Sequence, residues 1–300
     1  MKQIAIIAPT ASGKTALSIE LAHKTNSIIL SLDSLSVYKQ INIASAKPTL
    51  QEQDGIIHFG IDEIYPNEKF DVMKFIDIYH KTKDYAILHN KNIIIVGGTT
   101  FYLKMMIDGI SYVPPLTKGN QKILQQKLAT FTSDQLYNYL YQIDPIYMQN
   151  IQPNDIYRIE KTLSIYLSTN TQPTIYFKQH PPVPVIDNLK LFSIDINKSV
   201  LDKRIKQRTE LMIQDGIIDE TIFLEQTYTR AIDPMNSIGL KETLEYLDGK
   251  LTKTQLQEKI TLSTIKLAKR QRTFNKGQFK NVILEERETL KKEILKFFSY

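Results

Sequence analysis

The chain has 300 residues, 42% hydrophobic and 23% charged, which excludes wholesale disorder and suits one large α/β domain or a core carrying a second unit. It contains no cysteine, and its five histidines form no HxxxH pair, so disulfide frameworks, cysteine nucleophiles and ordinary zinc sites are excluded. The net charge of +6 suits a polyanionic partner. Along the chain, Ile4–Ala8 (IAIIA) forms the first apolar run, too short for a signal peptide. The segment PTASGKT follows it, and then a helical stretch over Ala16–Lys24. Ser27–Leu32 and Ile93–Val96 are further apolar runs, with a helical pattern over Phe70–Asn90 between them. Such runs, separated by helices, predict a parallel sheet covered on both faces. No segment reaches the ~18 uninterrupted apolar residues that span a bilayer. A cytoplasmic protein without membrane contact is expected.

Composition changes after Gly109. Tyr112-Val113-Pro114-Pro115 and His180-Pro181-Pro182-Val183-Pro184 bracket a tyrosine-rich, glycine-poor stretch with helical patterning. The expected organisation is an α/β core over residues 1–113 and 189–300, with an inserted helical domain over 114–188. Lys190–Ile194 returns to strand character. Helical patterns then cover Lys198–Asp215, Ile218–Tyr228, Gly239–Tyr246 and Thr254–Lys276.

The strongest chemical signal is Ala8-Pro9-Thr10-Ala11-Ser12-Gly13-Lys14-Thr15, a P-loop with alanine in place of the first glycine. It lies between a strand and a helix, where successive backbone N–H groups form an anion cradle. Lys14 would reach terminal phosphates and the Thr15 hydroxyl would ligate Mg²⁺. The expected fold is therefore a P-loop NTPase-like parallel sheet covered by helices. Asp33 ends the second strand at the same sheet edge, where a carboxylate can bind a metal, act as a general base or cap the following loop. The strand Ile93–Val96 ends in Gly97-Gly98-Thr99 where an NTPase would place an aspartate, which argues against ordinary NTP hydrolysis. Arg208 shares a helix face with Leu201, Ile205 and Met212, so it needs either a phosphate or a structural partner such as Glu210 or Asp215. Lys266, Lys269, Arg270, Arg272 and Lys276 form a basic helix, either a solvated face or a phosphate-contacting one, with Gln271 on its inward stripe. Arg158 and Lys161 lie on a helix that Asn154 could cap.

APTASGKTALSIELA, SLDSLSVYKQINIASAKP, VGGTTFYLKMMIDGIS and LAKRQRTF, in this order and spacing, resemble the bacterial tRNA dimethylallyltransferase (isopentenyltransferase) family over nearly the whole chain. HFGIDEIYP and NDIYRIEKTL are similar to it as well. The resemblance implies transfer of a dimethylallyl group from dimethylallyl diphosphate to N6 of the adenosine 3′-adjacent to the anticodon. It implies that Asp33 is the general base, Thr99 a polar contact at the acceptor site and Arg208 the arginine partner of the diphosphate. Ala8 to Thr15 would hold that diphosphate, with Mg²⁺ on Thr15. Asp33, Ser34, Leu35, Ser36, Thr99, Gln121, Arg158, Lys161, Lys269, Arg270 and Gln271 would contact tRNA or shape the channel. The implied partners are the tRNA anticodon stem-loop and dimethylallyl diphosphate, engaged by a monomer. The chain departs from the family pattern at Ala8, Ser36, Gln121, Leu240-Lys241 and Phe274, outside the implied chemistry. A P-loop kinase, a free-adenylate isopentenyltransferase and a non-catalytic RNA-binding switch are the alternatives.

Overall fold

The computed structural model describes residues 1–299. Its elements run β1 (Gln3–Ile7), α1 (Lys14–Thr25), β2 (Ser27–Leu32), α2 (Leu50–Gln53), β3 (His58–Phe59), α3 (Val72–Leu88), β4 (Asn92–Gly97) and α4 (Thr100–Asp108). Five helices follow: α5 (Lys118–Thr130), α6 (Ser133–Ile143), α7 (Pro145–Met148), α8 (Ile156–Thr169) and α9 (Pro173–Gln179). The chain then returns through β5 (Lys190–Ile194), α10 (Lys198–Gln214), α11 (Ile217–Tyr228), α12 (Leu240–Leu247), α13 (Lys253–Gln278), β6 (Ile283–Glu285) and α14 (Arg287–Ser299).

The six strands form one parallel sheet in the order β3-β2-β4-β1-β5-β6. Its centre is buried on both faces, which is why its strands are continuous apolar runs rather than alternating ones. Ile4 to Ile7 and Ile93 to Ile95 are fully buried. Leu17 and Leu21 of α1, with Leu290 and Ile294 of α14, pack on the face that presents Ile4, Ile6, Ile94, Val96 and Phe192. Each such side chain contributes about 1.5–3 kcal/mol by leaving water. Because all strands run one way, the segments after β1, β2 and β4 emerge at one edge, the usual ligand edge of an open α/β sheet.

Strands β3 and β6 and helices α2, α4 and α14 escape the sequence pattern. β3 is two residues long, β6 (ILE) is mostly exposed, and α14 shows only Leu290 and Ile294 as a buried pair among charges. The chain divides into two compact units, Met1–Met105 with Ile186–Tyr300, and Met106–Val185. The second unit begins ahead of the expected residue 114 for a physical reason. Ile110 pairs with Val183, and Tyr176 donates its hydroxyl hydrogen to the Tyr112 carbonyl, so 106–113 packs with this unit. At Gly109 (φ +91°) a Cβ would lie 2.5 Å from the Val183 backbone, so only glycine fits. The unit has its own core of Leu136, Leu140, Met148, Ile151, Ile159 and Leu163. Asp155, not Asn154, caps α8, accepting the Arg158 N–H at 3.1 Å.

Candidate active site at the carboxyl edge of the sheet

The P-loop spans the turn from β1 into α1. Gly13 sits at φ +88° as the N-cap of α1. Ala8 is fully buried and keeps negative φ, which explains why alanine is tolerated there; the left-handed non-glycine position is Ala11, at φ +60°. Within the loop, Ser12 N–H donates to the Pro9 carbonyl at 3.3 Å. Among the described residues, no group accepts the N–H of Gly13, Lys14 or Thr15, so three donors at the start of α1 stay open to an anion.

Three cations converge on this loop. Lys14 Nζ reaches the Pro9 carbonyl at 3.3 Å. Burial pushes its ammonium down to about 8, while Asp33 opposes that shift and Arg208 adds to it. Arg208 donates to the Thr10 hydroxyl at 3.0 Å, which settles its partner as the P-loop. Glu210, weighed as an alternative, instead accepts from Gln257. Burial works against the Arg208 charge and Asp33 works for it. Arg204, one turn earlier, donates to the Ser12 carbonyl at 3.2 Å. Arg204 lies off the apolar stripe that singles out Arg208 and is exposed, so nothing in the sequence marks it.

Asp33 stands at the end of β2. Its Oδ1 accepts the N–H groups of Leu35 (2.9 Å) and Ser36 (3.2 Å), so the loop-capping role is real. No hydrogen bond among the described residues uses Oδ2, and Asp33 lines the cavity. Thr99 Oγ1 accepts the Ser34 N–H at 3.0 Å and donates to the Ser34 hydroxyl at 3.3 Å. Ser36 is buried, with its hydroxyl 3.1 Å from that of Ser31. The two glycines before Thr99 serve different contacts. A Cβ at Gly97 would fall 2.0 Å from the Leu32 carbonyl of β2, and one at Gly98 would fall 2.3 Å from Gln271 Nε2.

A cavity of about 490 Å³ unites these groups. Thr10, Lys14, Thr15, Asp33, Ser34, Leu35, Ser36, Thr99, Arg208 and Gln271 all line it. One end is therefore an anion cradle and the other a carboxylate beside threonine and serine hydroxyls. The wall between them includes Ala44 to Pro48. Glu220 of α11 holds that wall, accepting the N–H groups of Asn42, Ile43 and Ala44 at 2.6, 2.8 and 2.9 Å. Nothing in the local sequence signals this, since the partners are over 170 residues apart. Lys47 lines the same wall and is tied to the Tyr38 carbonyl and Asp62.

The remaining expected residues stand apart from the cavity. Lys269 and Arg270 are exposed on α13, whereas Arg272 donates to the Ile196 carbonyl at 2.6 Å and serves the core. In the second unit, Gln121 is exposed near the start of α5, donating to the Leu116 carbonyl. Arg158 pairs loosely with Asp155 at 3.4 Å, and Lys161 lies over the Tyr157 ring at 5.7 Å. Among the described residues no group of three or more histidine and carboxylate side chains could hold a metal. A metal held mainly by phosphate oxygens needs few protein ligands, and the Thr15 hydroxyl, which has no partner among the described residues, fits that role.

A P-loop-like turn after β1, a strand β4 that ends in glycine rather than a Walker-type carboxylate, and a lone aspartate lining the same cavity define an α/β protein of the P-loop-like class. Residues 36–278 match the sequence model described as IPP transferase. The chain is 54% identical over 299 residues to the tRNA dimethylallyltransferase of Aliarcobacter butzleri, covering 100% of both chains. It is 50% identical to that of Sulfurovum sp., covering 98% of each. Among solved structures, the tRNA isopentenylpyrophosphate transferase of Bacillus halodurans superposes with a TM-score of 0.71 at 28% identity, over 99% of this chain and 95% of the other. A eukaryotic dimethylallyltransferase acting on tRNA gives 0.83 at 27%, over 96% and 74%. The chain belongs to the IPP transferase family. No helix among the described residues is long and apolar enough to cross a membrane.

Proposed function

We propose that this protein transfers a dimethylallyl group from dimethylallyl diphosphate to N6 of the adenosine 3′-adjacent to the anticodon in tRNA, releasing diphosphate. The observation that carries this reading is the single cavity joining the P-loop donors, Lys14 and Arg208 to Asp33 and Thr99. It is the arrangement expected of a displacement with an anionic leaving group at one end and a proton to remove at the other. The adenine amine is a weak nucleophile because its lone pair is delocalised into the ring. Asp33 accepts its N–H hydrogen as the new N–C bond forms and the C–O bond to diphosphate breaks, so the proton ends on the carboxylate. Thr99 orients the base side of the site. The open N–H groups of Gly13 to Thr15, with Lys14 and Arg208, bind the diphosphate and stabilise the charge that grows on it. The Thr15 hydroxyl would hold Mg²⁺ at this end of the cavity, where the ion would supply further charge neutralisation.

The target base must leave its stack to reach Asp33, so the protein acts on the anticodon stem-loop by base flipping. Asp33 to Ser36 and Thr99 meet the flipped nucleotide, and Gln271 shapes the channel. Gln121, Arg158, Lys161, Lys269 and Arg270 contact RNA phosphates from exposed positions. We place this activity in the cytoplasm, carried out by a monomer. Mass spectrometry of unmodified tRNA incubated with the protein, Mg²⁺ and dimethylallyl diphosphate tests the proposal. One dimethylallyl group on the adenosine 3′ of the anticodon is the expected product. Efficient prenylation of AMP with none of the RNA would replace tRNA by a free nucleotide as acceptor.

A further inference from the structure

Gln271 hydrogen-bonds to both the P-loop backbone and the loop after β4. Its Oε1 accepts the Thr10 N–H at 2.9 Å, and its Nε2 donates to the Gly98 carbonyl at 3.1 Å. Both contacts demand the same amide orientation, since an N–H needs the oxygen and a carbonyl needs the nitrogen. One turn further along α13, Asn275 Oδ1 accepts the Thr100 hydroxyl at 2.6 Å. Gly98 has no room for a side chain because Gln271 fills that space.

The consequence lies in the donors of the P-loop. Gly13, Lys14 and Thr15 offer open N–H groups where the loop enters α1. Thr10 is the other way round. Its N–H is taken by Gln271, while its hydroxyl oxygen accepts from Arg208, so its backbone donor is not left for a ligand to claim without displacing protein. The loop therefore has open donors beside the helix start, whereas the Thr10 N–H, at its outer end, is closed. A chain of two phosphates can use the inner donors. A third phosphate, extending outward along the loop, finds the Thr10 donor occupied and faces a side-chain oxygen instead.

We propose that Gln271 is a specificity-determining positioning residue that closes the outer end of the P-loop, limiting it to a diphosphate, and locks that loop to the Gly98–Thr99 segment. This rests on the reading of the P-loop as a phosphate cradle. It explains how a P-loop protein can exclude nucleoside triphosphates with a neutral side chain. In the absence of such closure, tripolyphosphate should bind more tightly than pyrophosphate, because it carries more charge.

Calorimetry of the full chain with inorganic pyrophosphate and with tripolyphosphate tests this directly. The wild-type protein should bind tripolyphosphate no more tightly than pyrophosphate. Gln271→Met removes both hydrogen bonds at similar volume, and should raise affinity for tripolyphosphate relative to pyrophosphate by about tenfold or more, the worth of one amide donor to a charged acceptor. Gln271→Glu keeps an oxygen for the Thr10 N–H but sets a second one against the Gly98 carbonyl. It should leave that ratio no higher than in the wild type while lowering kcat more than it changes KM for prenyl diphosphate. A folded Gln271→Met protein, checked by its melting curve, that keeps the wild-type ratio would overturn the inference. So would a wild-type protein that prefers tripolyphosphate, which needs no variant at all. Wild-type protein that binds neither anion would remove the phosphate-cradle reading itself, a separate failure.

Discussion

The loops after β1 and after β2 leave the same edge of one sheet, yet they handle their polar groups in opposite ways. The P-loop leaves the N–H groups of Gly13, Lys14 and Thr15 open and gathers Lys14, Arg204 and Arg208 around itself. The loop from Asp33 turns inward, with Asp33 Oδ1 on Leu35 and Ser36 and Thr99 on Ser34. One loop leaves backbone donors open, and the other satisfies its own backbone donors. A flexible anion can be gripped by many donors at once, whereas a base must be met by one carboxylate oxygen in a fixed place. The difference predicts that changes in the loop from Asp33 strike turnover, while changes around the P-loop strike binding of the prenyl donor as well.

The largest effect belongs to Asp33. Asp33→Asn keeps an oxygen for the Leu35 and Ser36 N–H groups but cannot take a proton, so kcat should fall ~10²–10⁴-fold with tRNA affinity unchanged. Single-turnover kinetics and a filter-binding assay measure the two separately. A variant that keeps most of the wild-type kcat would remove Asp33 as the base and leave it only the capping role.

Arg208→Ala comes next. It deletes a charged donor at the cradle and should lower kcat/KM for prenyl diphosphate by about 10–100-fold, with little loss of thermal stability, because the lost contact is to a threonine hydroxyl. A lowered melting temperature with intact kinetics would make Arg208 structural and erase the contrast between the two loops.

How far the sequence displays this contrast depends on the range of the interactions. The P-loop is a local pattern between a strand and a helix, so Lys14 and Thr15 are legible by spacing alone. Asp33 and Gly97–Thr99 are legible because apolar runs mark where strands end. Four of the six strands have such runs; β3 and β6 are too short to show one. The inward position of Gln271 follows from its stripe on α13, but its two backbone partners do not, since they lie 261 and 173 residues away. Glu220, holding the Asn42–Ala44 turn across more than 170 residues, leaves no trace in the sequence around it. Long-range side-chain-to-backbone bonds have no period, so only the fold reveals them.

Lys14 sharpens the comparison through pH. Its folded pKa is pushed down to about 8, from the ordinary 10.5, because the ammonium is buried. The charged form binds phosphate, so this contribution to prenyl diphosphate affinity is present below about 8 and is lost as pH rises through it. The stability linkage has the other sign: between about 8 and 10.5 the unfolded chain binds more protons, so this group alone makes stability increase with pH there. Lys14→Arg should abolish the affinity limb near pH 8 in a binding titration. An identical limb in the variant would assign it elsewhere.

The smallest effect tests the outer face of α13, whose inner face serves the P-loop and the segment after β4 through Gln271 and Asn275. Lys269 and Arg270 are exposed, so they are free to meet phosphates, while Arg272 is already committed to the Ile196 carbonyl. If both exposed cations neutralise RNA phosphates, the log–log dependence of tRNA affinity on salt should become shallower by about 0.7–0.9 per side chain removed, the single-strand and duplex limits. Replacing Lys269 and Arg270 together by glutamine should therefore reduce affinity most at low salt, leave the melting temperature near that of the wild type, and leave kcat at saturating tRNA unchanged. Arg272→Gln is the contrasting control: it should lower the melting temperature and leave the slope alone. A double variant with the wild-type slope would make this face of α13 a solvated surface. RNA binding would then rest on the second unit, where Arg158 and Lys161 are testable by the same slope and the neutral Gln121 by affinity alone.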